Sequence, residues 1–206
     1  MTLTRRRVTS AAGLKALAHP VRMALLGALV TEGPLTASQA GRMIDESAAN
    51  CSWHLRKLAE QGFVREARGG TGRNRPWRAV SEGLEWVEDV PEDDQPDQAT
   101  QIAAEALTDM LVEREVQRLR VARASRAGEP TDWREATGLV KSDRWLTAEE
   151  ARRLKDDLTE VLTRHAERSG DPDLRPAGAR LVSLVGWVVP SGPLRAARAA
   201  EDPPSA

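Results

Sequence analysis

The sequence predicts a mainly α fold with a small β component, an α+β chain whose compact amino-terminal domain is followed by a helical region. Three observations carry this. Apolar residues recur at helical spacing in four short segments before residue 62. Two runs rich in strand-forming residues follow at 63–80, separated by a glycine-rich stretch. Beyond an acidic, proline-bearing segment, helical patterns resume at 98 and again at 147. A chain of 206 residues that is 40% hydrophobic can bury one good core or two small ones.

Residues 11 to 31 read as two helices meeting at the His19-Pro20 pair. Ala12, Leu14, Leu17 and Ala18 form the first apolar stripe, and Val21, Ala24, Leu25, Ala28 and Leu29 the second. Pro20 suits a first helical position, and Gly33-Pro34 ends the unit. Thr36 is placed as the N-cap of a short helix with Ala37, Ala40 and Ile44 inward. Asp45 and Glu46 form a turn, Ser47 caps a helix over 47–61, and Gly62 follows its end. "FVREAR" at 63–68 and "RPWRAV" at 75–80 then make a hairpin around "GGTGRN", whose residues tolerate positive φ. Four helices and a hairpin in this order are the layout of a winged helix-turn-helix domain.

The acids and prolines of 81–97 read as a helix remnant entering a solvated linker. The helix beginning at 98 has a divided stripe, with Ile102, Ala106 and Met110 on one side and Val112, Val116 and Leu119 nearly opposite. It is expected to have two partners, one of them in a second subunit. A strand is expected near "GLV" at 138–140, and Thr147 opens a helix with a capping box ending at Glu150. Ala151, Leu154, Leu158, Val161, Leu162 and His165 share one face of it. "ARLVSLVGWVVP" at 179–190 is apolar on both faces, as a covered strand would be. The expected organisation is a DNA-binding domain at 1–82, an acidic linker at 83–97, a dimerisation or effector region at 98–190 and a disordered tail at 191–206.

Charge is unevenly spread. Residues 1–80 carry thirteen Lys/Arg against five Asp/Glu, residues 81–97 carry eight acids and no base, and the whole chain is left at -1. The amino-terminal end therefore attracts a polyanion. On a wheel of the 47–60 helix, Cys51, Leu55 and Leu58, with Ala48 beside them, form the buried side. Ala49, Trp53, Arg56 and Glu60 point away, flanked by Asn50, Ser52 and Lys57. The second helix of a helix-turn-helix meets base edges with its outward residues. Arg56 suits guanine, Asn50 adenine, Ser52 base or phosphate, and Ala49 close approach or a thymine methyl. The Trp53 ring suits a methyl or sugar, or else packing on the hairpin, and both readings stay open. Thr36, Ser47, Lys57, Arg68, Arg73, Arg75 and Arg78 are the expected phosphate contacts, and Arg5, Arg6 and Arg7 form a basic arm.

"LKALAHPVRMALLGALV", "GPLTASQAGRMID", "SAANCSWHLRKLAEQGFV" and "RGGTGRNRPWRAV" resemble the ArsR-like winged helix-turn-helix regulators of bacteria, in the form common among actinobacteria. The Ser52, His54, Leu55, Leu58 core is the most specific part. The resemblance implies a cytoplasmic, homodimeric repressor on a palindromic operator of double-stranded DNA, with half-sites about one helical turn, ~34 Å, apart. The metal-sensing branch carries a Cys-x-Cys pair where this chain has "TASQAGRMID", so no metal site is expected. No cofactor is expected, and a small-molecule effector for the carboxyl half stays open.

Other classes fit less well. The longest apolar stretch, Leu181 to Val189, is far short of a bilayer crossing. Cys51 is the single thiol, on the buried stripe, and no phosphate cradle or nucleophile elbow accompanies it, so no enzyme is expected. His54 is expected to bond along a helix face, His19 to cap or pack, and His165 to be a satisfied core residue. The competing reading is a winged helix that docks proteins and binds no DNA.

Overall fold

The computed structural model describes residues 5–70, 74–81, 83–86 and 97–191. The chain divides into two compact units, Met1–Gly128 with His165–Leu181, and Glu129–Arg164 with Val182–Ala206. The first holds β1 (Arg5–Val8), α1 (Ala11–Leu17), α2 (Pro20–Glu32), α3 (Ala37–Ile44), α4 (Ala48–Glu60), β2 (Val64–Glu66), β3 (Trp77–Ala79), β4 (Gly83–Trp86) and α5 (Gln98–Ser125). The second holds α6 (Thr131–Ala136) and α7 (Ala148–Thr163).

Local chemistry sets the helix ends. Ser10 accepts from the Gly13 amide at 3.2 Å and starts α1. Pro20 opens α2, which ends at Gly33 with φ 81°. Thr36 and Gln39 close a capping box on α3, and Ser47 accepts from Asn50 N to start α4. Between α3 and α4 the chain reverses through Asp45 in the left-handed region, φ 57°, with Glu46 N donating to Gly41 O at 2.9 Å. Gly41 is required there: a β-carbon on it would stand 2.5 Å from Glu46 O.

Leu14, Leu17, Leu25, Leu55, Leu58 and Leu107 are each no more than 1% exposed and meet in one core. Burying a side chain of that size contributes about 1.5–3 kcal/mol. The exposed Lys57–Glu60 and Arg75–Glu66 pairs are worth at most about 1 kcal/mol each, so the apolar core holds the domain. Helix α5 joins it by packing on α1 through Ala103, Ala104 and Leu107. The predicted α5 stripe is rotated by one residue from this: Ile102 is 56% exposed and Ala106 is exposed, because the helix meets α1 on the 103–107 face.

Two expectations at the edges of this domain are corrected. Residues 83–86 are neither linker nor helix remnant; β4 pairs in parallel with β1, from Arg5 opposite Gly83 to Val8 opposite Trp86. Leu84 and Trp86 pack against the core, and Trp86 Nε1 donates to Thr108 Oγ1 at 3.0 Å, so apolar side chains override the local acidity. The basic arm is correspondingly β1, and Arg6 turns inward. Its guanidinium donates to Gln61 O at 2.8 Å and to Gly62 O, and lies 4.4 Å from the Phe63 ring centre. It thereby ties off the carboxyl end of α4, where carbonyls lack helical partners. The 165–181 segment caps α2 similarly, with Gly170 N donating to Thr31 O at 2.9 Å and Arg175 paired with Glu32 at 2.8 Å.

The hairpin is shorter than predicted, with Val64, Arg65 and Glu66 opposite Ala79, Arg78 and Trp77. Leu35 exchanges both backbone hydrogen bonds with Trp77, pinning the wing to the α2–α3 connection. Gly69 and Gly70 take φ of 105° and 76° where the turn begins, and the rest of the tip, 71–73, lies outside the described residues.

In the second unit no described residue is buried. The expected strand at 138–140 is an extended run in neither sheet, and so is 179–190, which is exposed rather than covered: Leu181 and Trp187 are 77% and 62% exposed. Among the described residues no strand pairs with either run to make a ladder. His165 is likewise no core residue; α7 stops at Thr163, and His165, at φ 66°, stands 3.7 Å from Glu167. The expected tail from 192 onward and residues 87–96 of the acidic stretch lie outside the described residues. Among the described residues no single helix is long and apolar enough to cross a membrane.

Gly41→Ala should lower the stability of the amino-terminal domain by about 1–3 kcal/mol through overpacking of the α3–α4 turn, read from the midpoint of urea unfolding. Arg6→Ala should cost about 1.5–3 kcal/mol by leaving two carbonyls without their charged donor, and hydrogen exchange should quicken at the end of α4. An unchanged exchange pattern there would show that Arg6 does not anchor the helix.

Candidate nucleic-acid interface

Helix α4 is bound to the domain along one side and open along the other. Cys51, Leu55 and Leu58 are fully buried, and His54, at 4% exposure, completes the inner face. Ala48, expected beside them, is exposed, because it lies in the first turn before the helix reaches the core. Ala49, Trp53, Arg56 and Glu60 are exposed, with Asn50, Ser52 and Lys57 half-buried on the flanks.

Intramolecular contacts hold this outer face in one arrangement. Arg56 Nη1 donates to Ser52 Oγ at 3.0 Å, one turn back on the same face. Asn50 Nδ2 donates to Glu46 Oε2 at 2.8 Å, which draws the amide toward the α3–α4 turn and away from Arg56. Trp53 is 48% exposed and lies edge-on to His54, ring centres 4.7 Å apart, with Lys57 Nζ 5.9 Å from its centre. These contacts pack one side of the Trp53 ring within α4 itself. Lys57 also pairs with Glu60 at 2.9 Å, an exposed contact that a phosphate can displace at little cost.

Of the expected phosphate contacts, Ser47 and Thr36 are N-caps, each accepting a backbone hydrogen bond. Thr36 also donates its hydroxyl to Gln39 Oε1 at 2.9 Å, so it is already satisfied within its capping box. Arg68, Arg75 and Arg78 are exposed on the hairpin, Arg75 paired with Glu66 at 2.9 Å, and Arg73 lies outside the described residues. The structure adds Arg65, which the sequence reading passed over. Arg65 and Arg78 are direct cross-strand partners, both exposed, so two guanidiniums share one face of the wing. Like charges opposed in this way destabilise a hairpin unless something anionic lies over them. Their alternation out of the core on opposite strands was the signal.

Behind the outer face of α4 lies a pair of imidazoles, His54 buried and His19 half-buried. His19, the N-cap residue of α2, and His54 have ring centres 4.5 Å apart, and the Nδ1 of each is buried without a protein partner. This replaces the expected helix-face hydrogen bond of His54. Burial pushes both pKa values down, and His19 and Arg22 add to the effect on His54 while Glu46 opposes it. The Cys51 thiol, also fully buried, is pushed up by burial and by Glu46. Among the described residues no group of three or more His, Cys, Asp or Glu is placed to hold a metal ion.

The histidines make the domain acid-sensitive. Because their folded pKa values lie below the unfolded value of 6.5, protons bind the unfolded chain preferentially. Stability is full above that value and falls as pH drops from it toward the folded values. Urea midpoints measured between about pH 7.5 and 5 should show this loss, and His54→Gln should flatten it. Parallel pH profiles for the two proteins would remove His54 as the cause.

No curated protein matches the chain. Residues 17–67, from the end of α1 through α4 and β2, match the family model described as a helix-turn-helix domain. This is the stretch that presents α4 on its core and leads into the wing, and the amino-terminal unit carries a helix-turn-helix domain, a module of DNA-binding regulators.

Proposed function

We propose that this protein is a sequence-specific, DNA-binding transcriptional regulator of the ArsR-like winged helix-turn-helix type, acting as a dimeric repressor without the metal-binding Cys pair. Helix α4 enters the major groove and presents Ala49, Ser52, Trp53 and Arg56 to base edges, with Asn50 joining them on release from Glu46. The wing lies along the phosphates through Arg65, Arg68, Arg75 and Arg78, with Lys57 and Ser47 contacting the backbone beside α4.

The observation that carries this reading is the exposed Arg65–Arg78 pair. A wing meant only to complete the fold gains nothing from two opposed cations, whereas a polyanion turns the same repulsion into binding. Its position one short turn after α4, an exposed helix with Arg56 outward, fits one continuous duplex footprint. Dimerisation enters through α5, whose Ile102, Val112 and Leu119 stay at least 39% exposed while its other side packs on α1. Two such heads read half-sites of a palindrome about one helical turn apart.

Binding to duplex DNA should weaken steeply with salt, and a duplex-indifferent protein would favour the protein-docking reading of the same fold. Arg56→Ala should cost about 1 to 3 kcal/mol on the specific site and little on random duplex, whereas Lys57→Ala should weaken all duplexes alike. Arg78→Thr separates fold from function: it should stabilise the free protein by up to about 1 kcal/mol while lowering the salt slope of DNA binding by about one. Arg78→Thr that destabilised the free domain would make the pair structural. Sequencing genomic fragments retained by the full chain would give the operator.

A further inference from the structure

The second unit presents an unusual combination. Helix α7 is amphipathic and well capped, with Thr147 and Glu150 in a reciprocal box, yet Leu154, Val161 and Leu162 on its apolar face are each at least 37% exposed. Residues 137–147 and 179–191 on either side of it run without helix, turn or bend, and belong to no sheet. Gly186 crosses Leu162, where a β-carbon would sit 3.5 Å from Leu162 Cδ1, so the second run lies against α7. A chain ordered in this way loses conformational entropy that only burial offsets, and no described residue of the unit is buried.

The two runs differ in what they need. The first carries Lys141, Asp143 and Arg144 at its centre, the charges that protect an edge strand. The second has no charged residue from Leu181 to Ser191, and its alternating faces are Leu181, Val185, Trp187, Val189 and Val182, Leu184, Val188. Such a run belongs inside a sheet, covered on both faces. Twelve large apolar side chains of this unit are at least 37% exposed. At ~150 Å² per side chain they leave on the order of 1,000 Å² of apolar surface, well above the few hundred typical of a monomer and close to the ~800 Å² that each partner contributes to a stable complex.

We infer that the 181–190 run is an interface strand that pairs antiparallel with the same run of a second copy of this chain, making the centre of a sheet across the dimer axis with α7 against it. About a two-fold axis the backbone of an antiparallel segment can pair with its own copy, and an uncharged run sets no like charges opposite one another. The inference rests on the dimeric part of the reading above and relocates its principal contact from α5 to the carboxyl unit. It does not depend on DNA binding.

The full chain should sediment as a dimer at micromolar concentration, and the Val185→Asp, Trp187→Glu double variant should weaken the dimer by ~100-fold or more, since charges would be buried in an apolar contact. Circular dichroism and salt-dependent binding of random duplex should be retained by the amino-terminal domain of that variant. Single cysteines at each of 183 to 187, in a Cys51→Ser chain, should cross-link to their own copies best at the one position nearest the two-fold axis and fall off steeply on either side, since each step along antiparallel strands separates a residue from its own copy by about 7 Å. A monomeric wild-type chain would overturn the inference, as would a dimer indifferent to the double variant or cross-linking equally weak at all five positions. A wild-type dimer that cross-links as expected but ignores duplex DNA would sink the DNA-reading proposal and leave this one standing.

Discussion

The close approach of α3 and α4 is the constraint on which the amino-terminal domain depends. Gly41 lets the Glu46 carbonyl sit where any side chain would collide, and that short turn brings Cys51, Leu55 and Leu58 down onto α2 and α3. A helix buried this completely on one side has no freedom to roll. Its opposite side is therefore held at a set angle to the rest of the domain, which is what reading a groove requires. Arg6 and Ser47 secure the two ends of the same helix, one through carbonyls and one through an amide, so orientation and length are both defined.

Around that helix the polar contacts are weak on the outer face, where exchange is needed, and scarce on the inner one. Arg56 with Ser52, Asn50 with Glu46 and Lys57 with Glu60 are near-surface pairs within one or two turns. They hold side chains off the solvent at little free energy, and a phosphate or base edge offers a better partner. The inner side has the opposite character. His19 and His54 lie ring against ring at a tilt, partly desolvated and each with an Nδ1 that no protein group bonds, so the packing behind Trp53 tolerates neutral imidazoles and penalises charged ones. Acid would thus reach the reading helix from beneath, through its support.

The carboxyl unit follows another economy. Helix α7 is locally well specified by its capping box, but no described residue of the unit is buried. Local signals and burial normally point to the same structure; where burial is missing, the partner that supplies it is part of the fold.

Much of the amino-terminal domain was legible from periodicity and capping: α1 to α4 fall where Pro20, Gly33, Thr36, Ser47 and Gly62 put them, and Trp53, Arg56 and Ala49 do face outward. Those features are local, set within a turn or two of the residue concerned. What only the tertiary structure decided involved distant pairs. The β1–β4 ladder joins residues some eighty positions apart, so basic and acidic segments that each look solvated become one small sheet. His54, expected to bond along a helix face, instead packs its ring against His19 at the start of α2, and Arg65 matters once strand register sets it opposite Arg78. The sequence by itself determined the helix-turn-helix and which face of α4 is polar, because 3.6-residue spacing and end caps are short-range. Register, rotation of α5 about its axis and the want of a core in the carboxyl unit were decided by long-range packing, which no local pattern encodes.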